Sequence, residues 1–297
     1  MSPTKAGIHA PAVLQKAENG FSDLIKCYRE ENLKNAALIT AAPEQIGHST
    51  ILEITKRGIV YSIGHTEATF EEASSAVSHG ATMITHLFNA MRPLHHRNPG
   101  IFGVLGATNV GKPTPPSSPR TGKGMDENGG EAPLPGGQGV KRPYYGLIVD
   151  GIHLHPTSVK IAYSAHPSGC VLVTDAMHLV GLPDGLYTWG GASSKKIQKN
   201  GSRLTLEGED TLAGSAAGLL ECLNNFLSWT GAGVASSLGT VTEAPARVLG
   251  MQNRKGSLRR GTDADLVVLK EVESERGTKL LVKEVWKFGV RVWPVKG

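Results

Sequence analysis

The sequence predicts an α/β fold built on a parallel sheet, and three observations point there. Short apolar runs recur along the chain, with stretches of helical periodicity between them. Two of these runs, residues 59–63 and 82–85, are each followed by a histidine, His65 and His86. The stretch between them, TFEEASSAVSHG, has Thr69 and Glu72 at capping-box spacing and Gly80 as a stop. Phe70, Ala73 and Val77 fall there on one helical face. Strand, helix and strand in succession put both histidines on one rim of the sheet, at the C-terminal strand ends. That rim is where (β/α)8 barrels and open α/β sheets carry their chemistry.

The 297 residues suffice for one barrel of about 250 residues with a small appendage. Taken in order, residues 12–34 read as a helix, although Gly20 weakens its middle. Residues 36–42 read as a strand closed by Pro43, and 45–57 as a second helix. Residues 104–143 hold 7 Pro and 9 Gly in 40 positions and no aromatic residue, the pattern of a disordered insertion. Residues 144–149 resume as a strand, 156–165 as a helix with Pro156 in its first turn, and 170–173 as the next strand. Residues 186–206 read as a β-hairpin turning at Asn200-Gly201. The segment Leu212-Ala213-Gly214-Ser215 is expected to cap an amphipathic helix that buries Leu219, Leu220, Leu223, Phe226 and Leu227. A further helix is expected from about 236 to 249. From Gly256 onward the pattern is of short strands with turns. This gives a barrel over 1–255 and a small β unit over 256–297.

The rim then carries His65, His86, His153 and Asp175. Neutral imidazoles converging on one point suit a divalent metal; the alternative is two rings hydrogen bonded to nearby backbone. A carboxylate beside such a site could move a proton from a metal-activated water to a leaving amine; the alternative is that Asp175 caps a loop.

Several classes are disfavoured. No run approaches the roughly 20 apolar residues that span a bilayer, and the first residues lack the apolar core of a secretory signal. Cys27, Cys170 and Cys222 are widely spaced, which suits reduced, buried thiols in the cytoplasm. The net charge of +5 comes with 11 Lys/Arg against 6 Asp/Glu in residues 251–297. Those charges are interspersed and no nucleic-acid motif accompanies them, so they read as a solvated face.

The motifs GHT (64–66), THLFNAM (85–91), HHRNPG (95–100), DGIH (150–153), VTDA (173–176), LAGS (212–215) and GTDADLVVL (261–269) together resemble the N-acetylglucosamine-6-phosphate deacetylases of the amidohydrolase superfamily. The match runs in order over nearly the whole chain outside 104–143. The resemblance implies a (β/α)8 barrel with a small β-sandwich. It also implies one divalent metal, most often zinc, on His65 and His86, with Asp175 as general base and then acid. The implied reaction turns N-acetylglucosamine 6-phosphate into glucosamine 6-phosphate and acetate. Substrate contacts are implied for Ile8, His9, Asn89, Ala90, Arg97, Asp150, Gly151, Ile152, His153, Leu212, Ala213 and Gly214. His153 would help polarise the acetamide oxygen, and Arg97 would pair with the phosphate. A homodimer with no nucleic-acid or membrane partner is implied as well.

The departure from the family lies at the start. The family carries a glutamate metal ligand in an H-x-E-G-P segment shortly before a segment of the type SPxKxGAH. Here MSPTKAGIH aligns with the second segment. The expectation is therefore a barrel lacking its first strand and the N-terminal half of the sandwich, with Glu44 a conceivable stand-in ligand. Two other readings stand beside a deacetylase: a catalytically impaired member of the same family, and an amidohydrolase for a different amide such as a cyclic ureide.

Overall fold

The computed structural model describes residues 1–7, 9, 14–106, 142–188, 196–275 and 277–294. Ten α-helical segments and twelve strands lie among them. The N-terminal part runs α1 (Phe21–Tyr28), α2 (Glu30–Leu33), β1 (Leu38–Ala41), α3 (Pro43–Ile46), α4 (His48–Lys56), β2 (Val60–Ile63), α5 (Phe70–Ser78), β3 (Met83–Ile84) and α6 (Gly103–Gly106). The centre runs β4 (Tyr144–Ile148), α7 (Pro156–Ala165), β5 (Cys170–Val173), β6 (Gly185–Thr188), β7 (Lys196–Asn200), β8 (Arg203–Leu206) and β9 (Leu212–Ser215). The remainder is α8 (Leu219–Thr230), α9 (Val234–Gly239), α10 (Glu243–Val248), β10 (Leu266–Ser274), β11 (Gly277–Lys287) and β12 (Val290–Trp293).

The expected parallel sheet is present. Its strands lie in the order β1-β2-β3-β4-β5, every neighbouring pair parallel. Among the described residues it has five strands. A single parallel bridge, Ala176 to Ser215, continues it toward β9. Both faces are covered, so the strands are apolar on both sides. Tyr61, Ile63, Ile84, Tyr145 and Leu147 are fully buried, as are Ile51 and Ile54 of α4, Ala73 and Ala76 of α5, and Phe226 of α8. Each large side chain buried in this way stabilises the fold by about 1.5–3 kcal/mol. The expected cap on α5 forms in both directions: Thr69 Oγ1 accepts from the Glu72 N–H, and the Glu72 carboxylate accepts from the Thr69 N–H.

Several expectations are corrected. The helix expected over 12–34 is two short helices, because Gly20 (φ 66°) and Arg29 (φ 62°) adopt positive φ; residues 10–13 lie outside the described set. The helix expected over 45–57 is interrupted by Gly47 at φ 71°. The helix expected over 236–249 is α9 followed by α10. Pro245 lacks the N–H that a continuous helix would need there. The LAGS segment is not a helix cap but strand β9, paired antiparallel with β8. Gly214 makes this possible with φ 148°, a value side chains rarely adopt. The hairpin expected over 186–206 belongs to a four-stranded antiparallel sheet, β6-β7-β8-β9. The ends of the expected 104–143 insertion are ordered: Val104 and Leu105 are fully buried, and Arg142 donates to the carbonyls of Leu105 (2.9 Å) and Ala165 (3.1 Å). Residues 107–141 lie outside the described set. Cys27 is exposed, whereas Cys170 and Cys222 are buried.

The C-terminal β unit is the antiparallel sheet β10-β11-β12. It docks on α8 through Asn224, whose side chain donates to the Leu280 carbonyl (3.0 Å) and accepts from the Leu280 N–H (2.7 Å). No helix among the described residues is long and apolar enough to cross a membrane.

Candidate active site

The site forms where β2, β3, β4 and β5 end. Close approach of these ends requires a small residue at position 64. A Cβ on Gly64 would lie 2.6 Å from Thr85 Cβ and 2.9 Å from Thr40 Cγ2. Beneath the rim, Thr85 Oγ1 lies 2.6 Å from Ser62 Oγ and 2.9 Å from Thr40 Oγ1, a hydroxyl cluster that ties three strand ends together.

His65 and His86 meet. Their Nε2 atoms are 3.0 Å apart and their rings stand edge to face, 4.7 Å between centres. His65 Nδ1 lies 2.8 Å from the Lys5 carbonyl, to which it can only donate, so Nε2 of the neutral ring keeps its lone pair. His86 Nδ1 is buried without a hydrogen-bond partner among the described residues. Burial pushes both pKa values down, against the opposing pull of the Lys5 carbonyl on His65 and of Asp175 on His86. Neutral rings are what metal ligation requires.

Two Nε2 atoms at 3.0 Å fit a shared divalent ion with metal–nitrogen bonds of about 2.0–2.1 Å, and Lys5 supplies the outer-shell acceptor that orients such a ligand. The pair accounts for two ligands only. Among the described residues no group of three or more His, Cys, Asp or Glu could hold a metal. Glu44 is engaged elsewhere, accepting from Thr66 Oγ1 and from the Glu67 N–H, so it does not act as the stand-in.

The other expected residues are distributed as follows. The His9 ring lies 5.6 Å from that of His65, edge-on, and Ile8 is outside the described residues. Asp175 is exposed at the end of β5 and near enough to favour the cations of both His65 and His86. His153 lies near enough to disfavour the His86 cation. Its Nδ1 bonds Asp150 Oδ2 at 2.8 Å. Asp150, expected at the substrate, has a fully buried side chain whose oxygens are taken up by His153 and by the backbone N–H groups of Ile152 and His153. Its carboxylate is therefore placed beneath the site. Gly151 turns this loop with φ 78°.

Asn89 Nδ2 is buried and unpartnered among the described residues, and the Ala90 carbonyl accepts from the Thr66 N–H (3.1 Å). Arg97 is exposed on a loop, with its backbone N–H on His95 Nδ1. Leu212, Ala213 and Gly214 lie along β9. A Cβ on Gly214 would come within 2.6 Å of Met177 Sδ, which fixes a close approach there.

The backbone is strained where the chemistry-bearing side chains sit. His65 (φ 50°), His86 (φ 26°), Phe88 (φ 78°), Ala90 (φ 49°) and Asp175 (φ 45°) all have positive φ. Such residues cost on the order of 1–3 kcal/mol each and persist only where surroundings hold them. Here the His65 carbonyl accepts from Ser2 N–H (2.7 Å), the His86 carbonyl from Asn89 N–H (3.0 Å), and Leu87 N–H donates to Gly146 (2.8 Å). Sequence reasoning missed the Lys5 carbonyl, the hydroxyl cluster and the buried role of Asp150. The Asp-x-x-His spacing of 150–153 was the available signal for the last.

A parallel sheet covered on both faces, with a histidine pair and a carboxylate on its C-terminal rim, places this chain among α/β proteins that carry their polar groups at the strand ends. The chain belongs to the amidohydrolase family, whose model matches residues 2–290. It is 39% identical over 290 residues to the N-acetylglucosamine-6-phosphate deacetylase of Bos taurus, covering 97% of this chain and 63% of that protein. It is 38% identical over 289 residues to the protein of that name from Danio rerio, covering 97% and 64%. The chain thus spans somewhat under two thirds of the length of these relatives. Among solved structures, it resembles a mutant of the N-acetyl-D-glucosamine-6-phosphate deacetylase of Mycobacterium smegmatis in complex with N-acetyl-D-glucosamine-6-phosphate. That likeness has a TM-score of 0.76 and 26% identity, and covers 98% of this chain and 66% of that one.

Proposed function

We propose that the chain carries the catalytic rim of an N-acetylglucosamine-6-phosphate deacetylase, active in amino-sugar breakdown in the cytoplasm. The observation that carries this reading is the convergence of His65 Nε2 and His86 Nε2 at 3.0 Å, with His65 anchored by the Lys5 carbonyl. The five-stranded parallel sheet is read as part of a (β/α)8 barrel over 1–255, with 256–297 as its β-sandwich portion. A homodimer is the expected assembly.

His65 and His86 would hold one divalent ion, zinc by preference for nitrogen ligands. When bound, that ion would supply a Lewis acid and lower the pKa of water. Asp175 takes the proton of the water that adds to the acetamide carbonyl. It returns that proton to the amine nitrogen as the C–N bond breaks, giving acetate and glucosamine 6-phosphate. His153 steadies the acetamide oxygen. Asn89 and Ala90 meet the phosphate and Arg97 pairs with it, while His9, Ile8, Gly151, Ile152, Leu212, Ala213 and Gly214 shape the sugar pocket. The buried Nδ2 of Asn89, unpartnered among the described residues, supports its part, since a phosphate oxygen would satisfy it.

One observation favours a second reading, an impaired member of the family: no third metal-binding side chain joins the pair among the described residues. Metal content and acetate release, measured on the chain and on His86→Ala, separate the two. Near-stoichiometric metal and turnover, both lost in the variant, support the deacetylase. A folded chain with neither would overturn it in favour of the impaired form.

A further inference from the structure

We propose that Asp150 is a positioning residue: it commits His153 to the form with hydrogen on Nδ1 and leaves Nε2 as the ring nitrogen offered to the candidate site. The use of that nitrogen on a substrate rests on the deacetylase reading above; the state of the ring does not.

The geometry is closed on the Asp150 side. The side chain is fully buried, yet three donors reach it: Ile152 N–H (2.8 Å) and His153 N–H (2.9 Å) on Oδ1, and His153 Nδ1 (2.8 Å) on Oδ2. Burial alone would push this carboxyl up, but these hydrogen bonds prevail and hold its pKa at about 2. An ionised carboxylate only accepts, so Nδ1 carries the hydrogen. The same carboxylate holds both the backbone and the ring of His153, which removes the freedom of the ring to turn over. Nε2 lies across the ring from this bond. It is the nitrogen that can exchange a proton with substrate or solvent: the neutral ring accepts there, and the doubly protonated ring donates.

Replacing the carboxylate by an amide reverses the logic. In Asp150→Asn the amide oxygen still accepts from the two backbone N–H groups, but the NH2 now faces Nδ1 and donates to it. The ring proton then moves to Nε2. A carboxylate-to-amide change beside a catalytic histidine fixes the wrong tautomer in just this way.

The test uses the full chain with ring-labelled 15N histidine, the His153 signals being assigned by their loss in His153→Gln. With the spectra recorded at alkaline pH, where imidazole rings are neutral, the parent is expected to show hydrogen on Nδ1 and none on Nε2, and Asp150→Asn the opposite. A parent ring protonated on Nε2 alone would overturn the proposal without reference to any variant, as would an unchanged ring in a folded Asp150→Asn. In the acetate-release assay, Asp150→Asn is expected to lose about 10- to 100-fold in kcat, with KM changed less than about twofold. A rise in KM with kcat unchanged would indicate a substrate-binding role and count against positioning. Absence of turnover in the parent would strike the deacetylase reading, while the spectra decide the ring.

Discussion

His166 shows how much one buried side chain can set. Its ring is buried beside Tyr145, its Nδ1 has no partner among the described residues, and burial, then the nearby Arg142 cation, push its pKa down to about 4. The unfolded value is about 6.5, so between these values the unfolded chain binds the proton and the folded chain does not. Stability is therefore full above about pH 6.5 and falls as pH drops toward about 4, by about 3 kcal/mol in all. Denaturant titrations at pH 7 and pH 5 should show about 2 kcal/mol of this loss, and His166→Gln should remove that share while leaving the part due to His65 and His86. At the rim, Asp175→Asn is expected to lower kcat by about 10²- to 10⁴-fold while metal content stays unchanged. Parallel loss of metal would assign Asp175 to ligation instead. The sequence brought His65, His86 and Asp175 forward because each follows an apolar run. It could not show their positive φ, which depends on backbone partners as distant as Ser2.

Elements were legible where local chemistry decides them. The α5 cap was read directly from Thr69 and Glu72, because both partners lie within one turn. Thr69→Ala should cost about 1 kcal/mol in thermal or denaturant unfolding without altering metal binding. Elements were misread where a remote partner decides. LAGS became a strand because β8 and the end of β5 offer it hydrogen bonds, and the 12–34 helix broke at Arg29, where composition gives no warning. Gly64 belongs to the same class. Its role emerges only when Thr40 and Thr85 are placed against it. Gly64→Ala should cost about 1–3 kcal/mol through overpacking and weaken metal retention by displacing His65. Unchanged stability and metal content would show that the strand ends have room to part.

For the whole molecule, the antiparallel unit meets the rest of the fold through β11, which packs on α8. Leu280 is buried in the main core, and Asn224 satisfies both its backbone groups. Asn224→Ala leaves a buried N–H and carbonyl unpaired and is expected to destabilise docking by about 1–3 kcal/mol. Protease cleavage within 256–275 should then quicken while residues of the parallel sheet stay protected. Uniform loss of protection would mean that the two parts unfold as one.

The sequence by itself determined the parallel α/β class, the strand ends that carry His65, His86, His153 and Asp175, and the β character of the tail. Apolar periodicity, caps and turn residues are properties of neighbours along the chain, and these features follow from them. Tertiary structure decided which donors and acceptors are satisfied. It turned His65 Nε2 toward His86, drew Glu44 into the β2 loop and sank Asp150 beneath His153. A polar group becomes ligand, brace or positioning residue according to what reaches it through space, and burial makes each of those pairings obligatory.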